Sequence, residues 1–258
     1  FQFYWPVMIT GPIQRYQNFC RQCQRRRWNE KDASMAINRI IMGYSKIVIL
    51  ANYFIAEKLS AMIHRTFSQE SMQDNFLNSF TLQFVTSAND WVYLYLHFSG
   101  WSDIALSFSL LMGIKLEENF NKPYLACNLL DFWQRWHMTL TNWCRDYVFM
   151  PILAFSRQPF LAISIAMLAM GLWHQVSIYY LLWGFYHAIG IAICRSFQRT
   201  TEKLSGRFFH SFYWRTTARL LTFSFLFAGP PIILFFEQLI KGGWGNVVNL
   251  SMVTLKIA

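Results

Sequence analysis

Four long apolar stretches, residues 36–56, 80–114, 160–193 and 220–236, limit the folds open to this chain. A helix of about 20 apolar residues crosses the hydrocarbon core of a bilayer, and several of these stretches approach or exceed that length. Inside lipid every backbone N–H and C=O must find a partner within the structure, so helices are the natural spanning element. The chain is 54% hydrophobic and 14% charged, where soluble domains carry about 25% charged residues. The sequence therefore predicts an all-α, polytopic membrane protein with lipid around it, multi-pass in a cell membrane (the inner membrane if bacterial). No Gly/Ser-rich or Pro-rich linker divides it, so residues 1–258 read as a single domain.

The formal net charge is +10, from 23 Lys and Arg against 13 Asp and Glu. The positive residues gather in residues 15–31 and 195–219, each beside an apolar stretch, as in cytoplasmic loops under the positive-inside rule. That membrane explanation argues against nucleic acid as a partner. Both basic segments lie on one side if an even number of crossings separates them. Cys20-x-x-Cys23 lacks a second cysteine pair and neighbouring histidines, so it reads as two juxtamembrane thiols on the reducing side, with no metal. The chain opens FQFYWPVMITGPIQRY, without Met or a charged leader, so it is expected to begin partway through a longer protein.

Ionisable residues inside the apolar stretches mark candidate positions, because a charge at membrane depth is costly unless paired. Lys46 either snorkels to the interface or faces a cavity. HFSGWSD (residues 97–103) predicts a broken or re-entrant helix whose polar kink carries Asp103, which is either a functional carboxylate or the cap of the helix that follows. Residues 57–78 read as a loop with an interfacial helix, with His64 solvated; His210, in the second basic loop, reads the same way. Gly171 is expected to loosen the helix at GLWHQVS. His187, deep in a span, reads as a helix-packing hydrogen bond. Pro230-Pro231 predicts a bend in the final span.

The densest chemistry lies between residues 131 and 174. Each end places a histidine among tryptophans, His137 in DFWQRWH and His174 in GLWH, in a chain with six histidines. Phe132, Trp136, Leu140, Trp143 and Tyr147 recur at spacings of three and four. Residues 131–151 therefore read as one amphipathic helix with Asp131, Arg135, Asn142 and Asp146 on its polar side. With four charges near its start it suits the interface or a polar cavity better than a span.

GPIQRY (residues 11–16), FSGWSDIALS (98–107), ENFNKPY (118–124), DFWQRWHMTLTNWCRDYVFMPI (131–152) and GLWH followed by LLWGFYHA (181–188) occur in order. With these motifs the chain resembles the membrane-bound O-acyltransferases. Within them it looks most like the bacterial branch that contains the alginate O-acetylation and teichoic-acid D-alanyl transfer proteins. The resemblance implies a ring of transmembrane and re-entrant helices around a thinned centre, where a funnel from outside meets a tunnel from the cytoplasm. It implies His174 as the catalytic residue and His137 as a second important position.

The implied activity is O-acyl transfer, with acetyl as the acyl group, from a cytoplasmic thioester on acyl-CoA or an acyl carrier protein and with no bound cofactor. The acceptor is a hydroxyl of an exported or cell-surface polysaccharide, reached directly or through a periplasmic or extracellular partner acyltransferase. His174 would be the general base, since imidazole with a pKa of about 6.5 suits proton abstraction near neutrality. Trp136 and Trp173 would limit water access. His137 would orient the acceptor or donate to the oxyanion, and Asp103 would hold a histidine or an acceptor hydroxyl. Arg135 and Arg145 are counted with the substrate-binding or tunnel positions. No G-x-S-x-G elbow is present, so an acyl-serine is not expected.

The chain departs from the family pattern in lacking several N-terminal helices, in Gln175 after His174, in AFSRQP after Pro151 and in FAGPPI near the last span. The rival expectations are a non-catalytic acyl conduit or scaffold, and an inactive truncated relative.

Overall fold

The computed structural model describes residues 4–7, 11–67, 76–203 and 211–242, and all regular structure among them is helical. After a short helix α1 (Tyr16–Gln24) come two long antiparallel helices, α2 (Glu30–Phe67) with 38 residues and α3 (Phe76–Leu111) with 36 residues. At about 1.5 Å per residue both are longer than a bilayer core is thick. Helix α2 starts where Asn29 Oδ1 accepts the Asp32 N–H at 2.7 Å, with Glu30 and Asp32 in the first turn facing the positive end of the helix dipole. Between Ser45 and Leu59 it widens to i→i+5 turns.

Three sequence expectations change here. Residues 57–67 are helical, as the end of α2, with His64 exposed; residues 68–75 lie outside the described residues. The basic segment 15–31 is mostly helix, divided between α1 and the start of α2. Helix α3 runs unbroken through HFSGWSD, because each polar group in that run finds a partner without a kink. His97 stacks on Tyr93 with centroids 5.3 Å apart, Trp101 Nε1 donates to His97 Nε2 at 3.4 Å, and Asp103 is ion-paired. Gly100 serves close approach instead of a break. A Cβ built on it would stand 2.8 Å from the Gly43 carbonyl oxygen, and one built on Gly43 would stand 2.8 Å from that of Gly100. The backbones of α2 and α3 touch there, as small residues permit in membranes.

A loop containing a short 3₁₀ turn, Pro123–Leu125, leads to α4 (Leu129–Arg135) and α5 (Met138–Cys144). Arg145–Phe149 continues as wide turns into α6 (Met150–Ser156). The single amphipathic helix expected over residues 131–151 is thus broken at Trp136 and His137. The apolar stripe splits accordingly, with Phe132, Trp136 and Leu140 buried and Trp143 and Tyr147 exposed.

Helices α7 (Pro159–His174) and α8 (Ile178–Lys203) form an antiparallel hairpin. Gly171 does not loosen α7. Its bare Cα lets the Tyr180 carbonyl against it, and Gly184 faces the Met167 carbonyl oxygen in the same way, 2.6 Å from where a Cβ would be. The second basic loop shrinks, since α8 extends to Lys203 and α9 (Phe212–Gly242) begins soon after; His210 lies outside the described residues, as does the tail beyond residue 242. The helix α9 continues through Pro230 and Pro231. Pro230 has no N–H for the Leu226 carbonyl, and Trp91 Nε1 on α3 donates to that oxygen at 3.1 Å instead.

Among the described residues, Glu30–Phe67 and Phe212–Lys241 are long and apolar enough to cross a membrane, and Pro159–His174 is a shorter apolar helix. Arg219 Nε donates to Leu125 O at 3.3 Å. That bond ties the second basic segment to the loop after α3, whose Lys115 meets Asp32, in the first turn of α2 at the end of the first segment, at 3.0 Å. Gly100→Leu would wedge α2 from α3 and is expected to cost about 1–3 kcal/mol, read as a lower unfolding midpoint by intrinsic tryptophan fluorescence in detergent.

Candidate active site

Asn119, in the loop after α3, has no accessible surface. Its Nδ2 donates to Ser102 Oγ of α3 at 3.3 Å. Its Oδ1 accepts from Thr139 Oγ1 at 2.7 Å and lies 3.1 Å from His137 Nδ1, while its backbone oxygen accepts the Met138 N–H at 2.8 Å. Thr139 Oγ1 in turn accepts the Ile13 N–H at 3.0 Å. The direction of this chain follows from its ends. A backbone N–H can only donate, a threonine hydroxyl accepts it and passes its own proton on, and a carboxamide oxygen can only accept. His137 Nδ1 therefore carries the hydrogen toward Asn119, which leaves Nε2 of the neutral ring with its lone pair.

His137 itself has φ +41°, the left-handed region, between an extended Trp136 and the first turn of α5. This break turns the imidazole away from the helix register. Its ring meets Phe98 at 4.8 Å and Trp173 at 6.2 Å between centroids. The same Trp173 indole lies 5.0 Å from the His174 ring. Two histidines 37 positions apart in sequence thus share one tryptophan. His174 ends α7 and stacks on Tyr180 at 5.6 Å, with Trp183 at 5.8 Å; among the described residues no hydrogen bond holds its ring.

The other candidate residues divide. Trp136 is buried in an aromatic cluster, 5.3 Å from Trp91, 5.1 Å from Phe120 and stacked on Phe132 at 5.5 Å, whereas Trp173 is 57% exposed. Water exclusion by Trp136 is therefore that of a core residue. Arg135 braces the loop, with Nε 2.5 Å from Asp131 Oδ1 and Nη1 3.3 Å from Asn121 O. Arg145 is exposed and pairs with Asp146 at 2.8 Å; Arg15 of GPIQRY pairs with the same carboxylate from across the fold. Arg145 and Arg15 together hold the Asp146 carboxyl below its ordinary range.

Asp103 neither holds a histidine nor caps a helix. Its two oxygens are taken by Arg39 Nε and Lys46 Nζ, each at 2.7 Å, and Arg39 also forks onto Glu118 at 2.6 and 2.5 Å. Lys46 thus faces α3 instead of snorkelling. His187, expected to make a helix-packing hydrogen bond, has a buried Nδ1 with no partner among the described residues. The sequence reading missed Asn119, Arg39 and Glu118 as contributors. The signal for Asn119 and Glu118 was ENFNKPY, a motif that carried the family resemblance but was assigned no site residue. No group of three or more His, Cys, Asp or Glu able to hold a metal occurs among the described residues.

Comparison with known proteins supports the family resemblance. A family model described as MBOAT, membrane-bound O-acyltransferase family, matches residues 1–234. The chain is 31% identical over 255 residues to the teichoic acid D-alanyltransferase of Bacillus subtilis, an alignment covering 90% of this chain and 60% of that protein. It is 31% identical over 202 residues to a "Probable alginate O-acetylase" of Pseudomonas aeruginosa, covering 74% and 35%. With the peptidoglycan O-acetyltransferase of Helicobacter pylori it shares 28% over 232 residues, covering 88% and 41%. The chain spans between about a third and three fifths of the length of these relatives.

Asp103→Asn would leave Arg39 and Lys46 facing each other with half their anionic charge gone. It is expected to lower unfolding stability by about 3 kcal/mol. Adding Lys46→Met should restore part of the loss, measured as unfolding midpoints of the single and double variants.

Proposed function

The chain belongs to the membrane-bound O-acyltransferase family, and from that premise we propose that it moves an acyl group to a hydroxyl of an exported or cell-surface polysaccharide. The acyl group is acetyl and its source a cytoplasmic thioester, acyl-CoA or acyl carrier protein. Transfer is direct or passes through an acyltransferase partner outside the membrane. The described helices are one multi-pass membrane domain, part of a ring around a funnel and tunnel. What supports this reading is the shared Trp173, against which His137 and His174 both lie.

In the proposed reaction His174 takes the proton from the acceptor hydroxyl as its oxygen attacks the thioester carbonyl. The thiol leaves with a proton when the tetrahedral adduct collapses. His174 suits the base role because its ring is half open and not committed to another hydrogen bond among the described residues. His137 has the complementary character. With Nδ1–H given to Asn119, its Nε2 accepts, so it positions the acceptor hydroxyl by taking its hydrogen bond and does not donate to the oxyanion. Trp173, whose indole packs against both rings, shields the reacting acyl group from water.

Polysaccharide ester content tests this in cells lacking the protein and complemented with the full-length gene. At membrane levels matched to wild type, His174→Ala is expected to lower ester formation by about 10² or more. Full restoration by the variant would overturn the base role and leave the acyl-conduit reading. Asn119→Ala, which frees the His137 ring, is expected to reduce ester formation roughly ten- to a hundred-fold in the same assay.

A further inference from the structure

Where α4 packs on the α7–α8 hairpin, three polar atoms are buried without a hydrogen-bond partner among the described residues: Trp133 Nε1, Ser164 Oγ and His187 Nδ1. They belong to three different elements, α4, α7 and α8, and their residues are 6%, 9% and 2% exposed. The ring centroids of Trp133 and His187 are 5.3 Å apart. The hairpin register brings Ser164 to the same level. Gly171 faces Tyr180 and Gly184 faces Met167 and Leu168, so one turn further along α7 and α8 Ser164 stands opposite His187. His187 is otherwise walled by rings, with Trp183 at 4.5 Å, Tyr186 at 5.7 Å and Phe225 at 5.8 Å.

The chemistry of the three atoms selects their occupant. An indole N–H only donates, so whatever sits there must present an acceptor, which excludes a metal cation. The surrounding walls are aromatic and no cation is among the three groups, so an anion would be left buried and unpaired. The occupant is neutral and small. We infer that Trp133, Ser164 and His187 together bind one water molecule in the protein core. The water accepts from Trp133 Nε1–H and donates to His187 Nδ1 and Ser164 Oγ, the three hydrogen bonds typical of a buried water. It joins α4 to the α7–α8 hairpin and sets the His187 tautomer with its hydrogen on Nε2. The site is independent of the proposed acyl transfer.

Brief X-ray irradiation of the full-length protein in detergent with ¹⁸O-water generates hydroxyl radicals in place from bound water, so a buried side chain beside such a water becomes labelled. Label on Trp133 or His187 is expected in the wild type, and its loss in Ser164→Ala. Absence of label on both in the wild type, with exposed Trp28 labelled as the control, would overturn the proposal, as would label that persists in Ser164→Ala. A second measurement covers folding defects. With a bridging water, Ser164→Ala and His187→Phe each lower the unfolding midpoint, and the double variant is no worse than the poorer single one, because the bridge is lost only once. Single variants that keep or raise the midpoint would mean that unpaired groups were simply removed, and would sink the idea.

Discussion

A single buried carboxamide holds the centre of this structure. Asn119 takes Ser102 from α3, His137 from the break between α4 and α5, and Thr139 and the Met138 backbone N–H from the first turn of α5. Through Thr139 it also reaches Ile13. A buried amide left unpaired costs about 1–3 kcal/mol for each orphaned group, so these segments have one mutually satisfying arrangement. That explains why GPIQRY, FSGWSD, ENFNKPY and the RWH segment occur together. The first three supply Ile13, Ser102 and Asn119 to one network, and the fourth with the residues that follow it supplies His137, Met138 and Thr139; Arg15 and Asp146 close a second link between the first and the segment after the fourth.

The second constraint is electrostatic. Asp103 has 13% side-chain exposure in the α2–α3 contact, and removing a carboxylate from water is costly unless cations replace the solvent. Arg39 and Lys46 do so, and Glu118 returns the cluster of two cations and two carboxylates to zero net charge. The cluster sits near the Gly43–Gly100 backbone contact, where the helices are closest. Because Arg39 reaches Asp103 and Glu118 together, it also fixes the loop that carries Asn119. The ion cluster and the carboxamide network are therefore mechanically joined through residues 118 and 119.

Much of the helical content was legible in apolar periodicity, as were the polar exceptions. Lys46 and Asp103 each stood out as an ionisable residue within an apolar stretch that needed a partner. That they are each other's partner is a tertiary fact which no local pattern carries. The pair of Trp-flanked histidines was equally visible, and the structure brings both to Trp173. Residues 131–151 misled because the spacing of three and four continues across residues 136–138 on both sides of the break. The determinant of that break is Asn119, 18 positions from His137 and set among charged residues in KLEENFNKPY, where an asparagine looks solvated. The unbroken α3 misled in the opposite sense. A polar run predicts a kink only while its side chains lack partners, and here α3's own turns, α2 and the loop after α3 supply them.

The break at His137 has a physical logic of its own. A non-glycine residue in the left-handed region costs roughly 1–2 kcal/mol, and such strain persists only where the surroundings over-determine it. Trp136 N–H still bonds four residues back, to Phe132 O; in a continuous helix Met138 N–H would do the same, and the His137 ring would project beside the apolar stripe. Instead the Met138 N–H goes to Asn119 O, and His137 Nδ1 goes to the side chain of the same residue. One partner thus compensates the backbone bond lost and orients the ring gained. The strained residue packs against Trp173, which also meets a histidine at a helix end with an open ring. An orientation secured by two bonds to one buried residue is stiff, while His174 next to it is not so held. In the proposed reaction that asymmetry divides the work, with the rigid imidazole placing the acceptor and the freer one taking and returning the proton.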